Sequence, residues 1–224
     1  MKQELNEIAR WSTLADFYEL FGVAFSFPEE PLARAVSTGA LFGDLEAIGA
    51  ELECPAVLEG ANRPEAFARK EPSELLVILR RSYSQLYLEP GRLRRVYPYE
   101  SAFAFAESHE SGMPTLVVTR AALSVEHFMR RARALPEDRH SRPVDSIECE
   151  FGLMGTIWEN ALVSASQGEE AMAREWEQLA GEFKGAHLDM WVNRFMERTV
   201  QEAPESFQGL MARAYLEIDR KGNL

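Results

Sequence analysis

Asp145-Ser146-Ile147-Glu148-Cys149-Glu150-Phe151-Gly152-Leu153-Met154-Gly155-Thr156-Ile157-Trp158-Glu159-Asn160-Ala161-Leu162 is the most strongly periodic stretch of the chain. Ile147, Phe151, Met154, Ile157, Trp158 and Leu162 recur mainly at steps of three and four, the spacing that gathers side chains on one face of a helix. Asp145 and Glu148 have the Asp-x-x-Glu spacing of an N-terminal capping pair, so the helix is expected to begin there with Asp145 as its cap. Just upstream, Leu135-Pro136-Glu137-Asp138-Arg139-His140-Ser141-Arg142-Pro143 is polar, charged and twice interrupted by proline. It reads as a hinge between two helical halves, residues 1–140 and 141–224.

The same helical spacing continues on both sides. Downstream, Gly168 separates a helix carrying Met172, Trp176 and Leu179, then another with Phe183, Leu188, Trp191, Val192, Phe195 and Met196, and a last one from Phe207 to about Asp219. Near the N-terminus, Leu14, Phe17, Tyr18, Phe21, Ala24 and Phe25 share a face in a helix that Pro28 and Pro31 end. A second helix is expected from Pro31 to Ile48, weakened by Gly39, Gly43 and Gly49. A further helix opens at Ser73 and Glu74, buries Leu75, Leu76, Leu79, Tyr83 and Leu86, and stops at Pro90-Gly91. Tyr97-Pro98-Tyr99-Glu100-Ser101 reads as an ordered extended loop, and Ala121, Val125, Phe128 and Met129 mark another helix. The start of that helix is open, because Leu116-Val117-Val118-Thr119 also suits a strand. Alternation of strand type is otherwise scarce, so the fold class is all-α, a bundle of two packed helical halves.

With 46% hydrophobic and 27% charged residues, the 224-residue chain lies in the globular range. The N-terminus has no basic stretch leading into an apolar run, and no segment approaches the roughly 18 uninterrupted apolar residues of a membrane span. A cytoplasmic protein without an integral membrane segment is expected. Cys54 and Cys149 stand far apart and outside any C-x-x-C pattern, which removes a disulfide framework and reads both as small buried hydrophobes. Thirty-six acidic against 24 basic side chains give a net charge of -12, which disfavours nucleic acid and fits a basic partner.

Catalytic patterns are scarce. His109, His127, His140 and His187 are scattered, with no pair at helical metal-binding spacing, so no metal is expected. Phosphate-cradling glycine loops and a G-x-S-x-G nucleophile are absent from the sequence. Asp145, Glu148 and Glu150 cluster as acid–base or cation-binding chemistry would require, though the capping role accounts for the first two. Arg-Arg pairs at 80, 94 and 130 are internal, read as surface charges or salt-bridge partners, and are not export signals.

Four segments, in order, resemble the TorD/DmsD/NarJ family of maturation chaperones for molybdenum oxidoreductases. Tyr83-Ser84-Gln85-Leu86-Tyr87 is similar to a Tyr-x-x-Leu-Phe element, followed by the Tyr-x-Pro-x-Glu-Ser-like stretch Tyr97–Ser101. Pro143 through Met154 resembles the family's Pro-x-Asp-His hinge motif, and Phe183, His187, Leu188, Trp191 and Phe195 match a Phe-x-x-x-His-Leu-x-x-Trp-x-x-x-Phe element. Ser146 stands where the family usually has histidine; it can assist a helix cap but carries no titratable charge.

The resemblance implies an all-helical chaperone, not an enzyme, that binds the twin-arginine signal peptide and apoprotein of a molybdopterin oxidoreductase of the DMSO/TMAO reductase type before export. It implies a signal-peptide site at Tyr97, Tyr99, Glu100, Ser101, Asp145, Ser146, Glu148 and Glu150, where carboxylates meet arginines beside an apolar groove. No cofactor is expected, and the family admits monomers and domain-swapped dimers. The alternatives are a NarJ-type assembly factor for a non-exported, membrane-bound reductase subunit and a helical enzyme using the carboxylates near residue 148.

Overall fold

The computed structural model describes residues 2–55, 67, 70–88, 96–108, 112, 114, 119–135, 143–222 and 224. Among these residues the fold is all-α, with one isolated antiparallel bridge, Tyr99 to Ser146, as its only extended pairing. In chain order the helices are α1 (Lys2–Phe25), α2 (Glu30–Thr38), α3 (Ala40–Glu51), α4 (Pro72–Tyr83), α5 (Glu100–Glu107) and α6 (Arg120–Arg131). They continue with α7 (Ile147–Ser166), α8 (Glu170–Phe183), α9 (Asp189–Glu202) and α10 (Phe207–Asp219). Two π-helical turns, Ser84–Leu88 and Lys184–Leu188, extend α4 and connect α8 to α9. No helix is long and apolar enough to cross a membrane among the described residues.

The expected helix from Pro31 to Ile48 is two helices. Gly39 adopts φ 82°, a left-handed conformation that closes α2 and starts α3 at no steric cost to glycine. The expected loop at 97–101 is extended through Tyr99 only, since Glu100 and Ser101 already belong to α5. Leu162 and Leu76 are half-buried and Met172 is exposed, so each lies at or beyond the margin of its apolar face. Cys54 is buried and Cys149 is partly exposed, both as free thiols. The expected hinge around residue 140, the strand-like stretch 116–118, the Pro90-Gly91 stop and the Arg-Arg pair at 94 lie outside the described residues.

The chain divides into two compact units, each assembled from separated segments: Met1–Gly22 with Tyr97–Asn193, and Val23–Val96 with Arg194–Leu224. In the first, α7 packs on α8 and close against α1. Ala15 O and Glu19 N approach within 3.8 and 3.7 Å of where a side chain at Gly155 would begin, while Tyr18 meets the Phe151 ring at 5.7 Å. Phe103 and Trp191 meet at 5.8 Å, and Phe128 and Phe183 at 5.2 Å.

In the second unit α2 packs on α3 and α4, and α4 on α10. Phe195 stacks on Tyr87 at 5.7 Å and meets Phe25 edge-on at 5.8 Å. Arg80 donates from Nε to Pro28 O at 2.9 Å and lies over Phe27, which anchors the chain just after α1.

Candidate functional site

Within the first unit two segments distant in sequence meet. Tyr99 and Ser146 form the antiparallel bridge, with Glu100 N donating to Asp145 O at 2.8 Å and Ile147 N to Pro98 O at 3.0 Å. These bonds fix the starts of α5 and α7 side by side. Ser146, not Asp145, is the N-cap of α7: its Oγ accepts from Cys149 N at 3.2 Å. The anticipated Asp145–Glu148 capping pair therefore does not form. Asp145 caps the other helix instead, with Oδ2 accepting from Ser101 N at 3.1 Å. A local spacing rule could not anticipate this, because the recipient amide is 44 residues away.

Of the eight anticipated site residues, Tyr99, Glu100, Ser101, Asp145, Ser146 and Glu150 are joined by these bonds and by contacts between Glu100 and Glu150. Tyr97 lies two residues before the bridge and Glu148 in the first turn of α7, both half-buried. Glu100, Ser101 and Ser146 are also partly exposed, whereas Asp145 and Glu150 are fully buried.

Beneath this rim lies a buried polar cluster that spacing did not reveal. His187, delivered by the π turn Lys184–Leu188, has Nδ1 at 2.7 Å from Glu100 Oε2 and Nε2 at 2.9 Å from Ser124 Oγ of α6. Trp191 donates its indole N–H to Glu150 Oε2 at 2.9 Å. Burial, then the neighbouring Glu100 charge, push the Glu150 carboxyl well above the ordinary range, against the opposing pull of the Trp191 N–H. Asp145 adds to the same repulsion, and the close approach of the Glu100 carboxyl raises it further.

Glu150 Oε1, Asp145 Oδ1 and Ser101 Oγ are buried without hydrogen-bond partners. Glu100, Glu150 and His187 each offer a ligand atom within 4.8 Å of the others. The sequence signal was present in part, since His187 and Trp191 share a helical face at a spacing of four, but their carboxylate mates come from other helices.

No curated protein matches the chain. No solved structure matches it either. Residues 54–197 match the family described as nitrate reductase delta subunit, and this span covers more than half of the chain and every residue of the site. The chain belongs to the nitrate reductase delta subunit family.

Proposed function

We propose that this protein is a maturation chaperone that binds the twin-arginine signal peptide and apoprotein of a molybdopterin-dependent oxidoreductase. It assists folding and cofactor insertion in the cytoplasm before export. Membership of the nitrate reductase delta family supports the chaperone role. The observation that carries the peptide reading is the bridge between Tyr99 and Ser146, which joins half-exposed aromatic side chains to a partly exposed carboxylate above a buried acidic floor. A signal peptide presents a pair of guanidinium groups beside an apolar segment, and such a rim matches it in charge and in character. Glu100 meets the arginines, Tyr97 and Tyr99 line the apolar side, and the buried charge of Asp145 adds to the negative potential behind them.

Isothermal titration with a synthetic twin-arginine signal peptide, beside a control with both arginines changed to lysine, tests this. Micromolar or tighter binding to the native peptide, lost in the control and weakened by Glu100→Gln, is expected. Asp145→Asn retains an acceptor for the Ser101 amide while removing charge, so it reads the electrostatic contribution without removing the cap. Equal binding of both peptides, or of neither, overturns the assignment.

The family description favours a second reading, a NarJ-type assembly factor for a non-exported, membrane-bound reductase subunit. In that case an N-terminal client peptide lacking an Arg-Arg pair binds the same rim, and the arginine control makes no difference.

A further inference from the structure

We infer that Glu100, Glu150 and His187 form a binding site for a divalent transition-metal ion, with Zn2+ the best-suited occupant. Three separate elements, the first turn of α5, the first turn of α7 and the π turn Lys184–Leu188, each supply one ligand, and the donor atoms lie within 4.8 Å of one another. Around zinc, ligands about 2.0–2.2 Å from the ion stand roughly 3.4 Å apart, so side-chain rotations that bring the donor atoms about 1.4 Å closer at most close the set. One imidazole nitrogen and two carboxylate oxygens suit zinc or manganese better than magnesium or calcium, which favour oxygen alone.

A buried acidic cluster alone does not make a site, and the orphaned atoms supply the second argument. Glu150 is fully buried; its Oε2 holds the Trp191 N–H while its Oε1 has no partner. A buried carboxyl oxygen without a donor is costly, and ionising it there is costlier still unless a cation compensates the charge. Asp145 Oδ1, equally buried and without a partner, adds negative charge that acts on Glu150.

Second-sphere contacts of the kind that orient metal ligands are also in place. Trp191 fixes the Glu150 carboxylate plane, and Ser124 Oγ sits 2.9 Å from His187 Nε2. Without the ion, Nδ1–H donates to Glu100 and Nε2 accepts from the Ser124 hydroxyl. With it, Nε2–H donates to the same Ser124 oxygen and frees the Nδ1 lone pair for the metal. A hydroxyl serves both tautomers because it donates and accepts. Glu100, whose side chain retains 15% exposure against 3% for His187, gives the ion its way in and leaves a coordination position facing the rim.

The test is equilibrium dialysis of the metal-stripped full-length protein against Zn2+, with Mg2+ as a control, followed by metal analysis. One equivalent of Zn2+ retained per chain, with no retention of Mg2+, is the expected result. Glu150→Gln, which keeps an acceptor for Trp191, should weaken Zn2+ binding about tenfold or more, and Ser124→Ala about tenfold through loss of the imidazole's support. Binding should strengthen as pH rises, because carboxylate and imidazole ligands bind a metal only in their deprotonated forms.

His187→Ala removes a ligand outright. If circular dichroism shows that it fails to fold, the Glu150→Gln result decides alone. Zn2+ bound equally by wild type and Glu150→Gln would assign the ion to exposed carboxylates and overturn the proposal, as would no retention by wild type. Dialysis uses the metal alone, and the signal-peptide titration is run on metal-stripped protein because Glu100 serves both sites, so either result can fail without the other.

Discussion

The two π-helical turns, one in each compact unit, bury a polar side chain in opposite ways. At Ser84–Leu88, Tyr87 is buried against Phe195, and its hydroxyl shares a 3.2 Å hydrogen bond with Thr199 Oγ1, itself fully buried. Burial holds the Tyr87 phenol well above its ordinary pKa, with the Thr199 bond opposing it, so both partners are neutral and the pair is closed. At Lys184–Leu188, His187 enters a set of carboxylates in which Glu150 Oε1 and Asp145 Oδ1 have no partner. A π turn often accompanies function. This contrast shows that the turn itself is not the signal; what distinguishes the site is carboxyl oxygens left without partners in the interior.

The largest expected effect tests the closed side of that contrast. Phe195 is fully buried between Tyr87 and Phe25, so Phe195→Ala should lower stability by about 3–5 kcal/mol, read by urea unfolding. A loss under about 1 kcal/mol would mean that the aromatic stack is not what holds the Ser84–Leu88 turn in place.

The open side should show itself in pH dependence. Native Glu150 holds its proton to higher pH than the unfolded chain, whose carboxyl titrates near 4.5. Between those two values the native state binds more protons, so the metal-free protein loses stability as pH rises. This contribution is fully present below the unfolded value and disappears as pH climbs through the folded one. Glu150→Gln removes the effect: thermal unfolding should show the variant gaining on wild type above about pH 4.5 by at most about 1.4 kcal/mol per pH unit. Parallel stability curves would mean that Glu150 does not carry the strain assigned to it.

How much of this was legible in the sequence follows the same division. Apolar periodicity located α1, α7 and α10, and α10 runs from Phe207 to Asp219 as its spacing indicated, because each depends on neighbours three and four positions away. The two peptide segments were also recognisable as motifs, and Tyr99, Glu100, Asp145 and Ser146 do come together. What escaped was partner identity. Asp145 is a capping residue, as its type indicates, but it caps α5 through Ser101 because Ser146 takes the start of α7. His187 was one of four scattered histidines until the fold set it against Glu100 from a helix 87 residues earlier. Local rules read contacts made within one helix turn, whereas this site is made wholly of contacts between elements.

The smallest effect separates the two turns most cleanly. Tyr87→Phe keeps the ring on Phe195 and removes one hydroxyl, leaving the buried Thr199 Oγ1 without that bond. The cost should be about 1 kcal/mol, the usual net value of a neutral hydrogen bond. It should also be constant between about pH 5 and 9, since neither Tyr87 nor Thr199 changes charge there. If the turns were equivalent structural devices, Tyr87→Phe and Glu150→Gln would both give flat losses. A loss that is flat for Tyr87→Phe and a gain that grows with pH for Glu150→Gln would locate the molecule's costly buried carboxyl at Glu150, beside Glu100 and His187, where a cation has reason to bind.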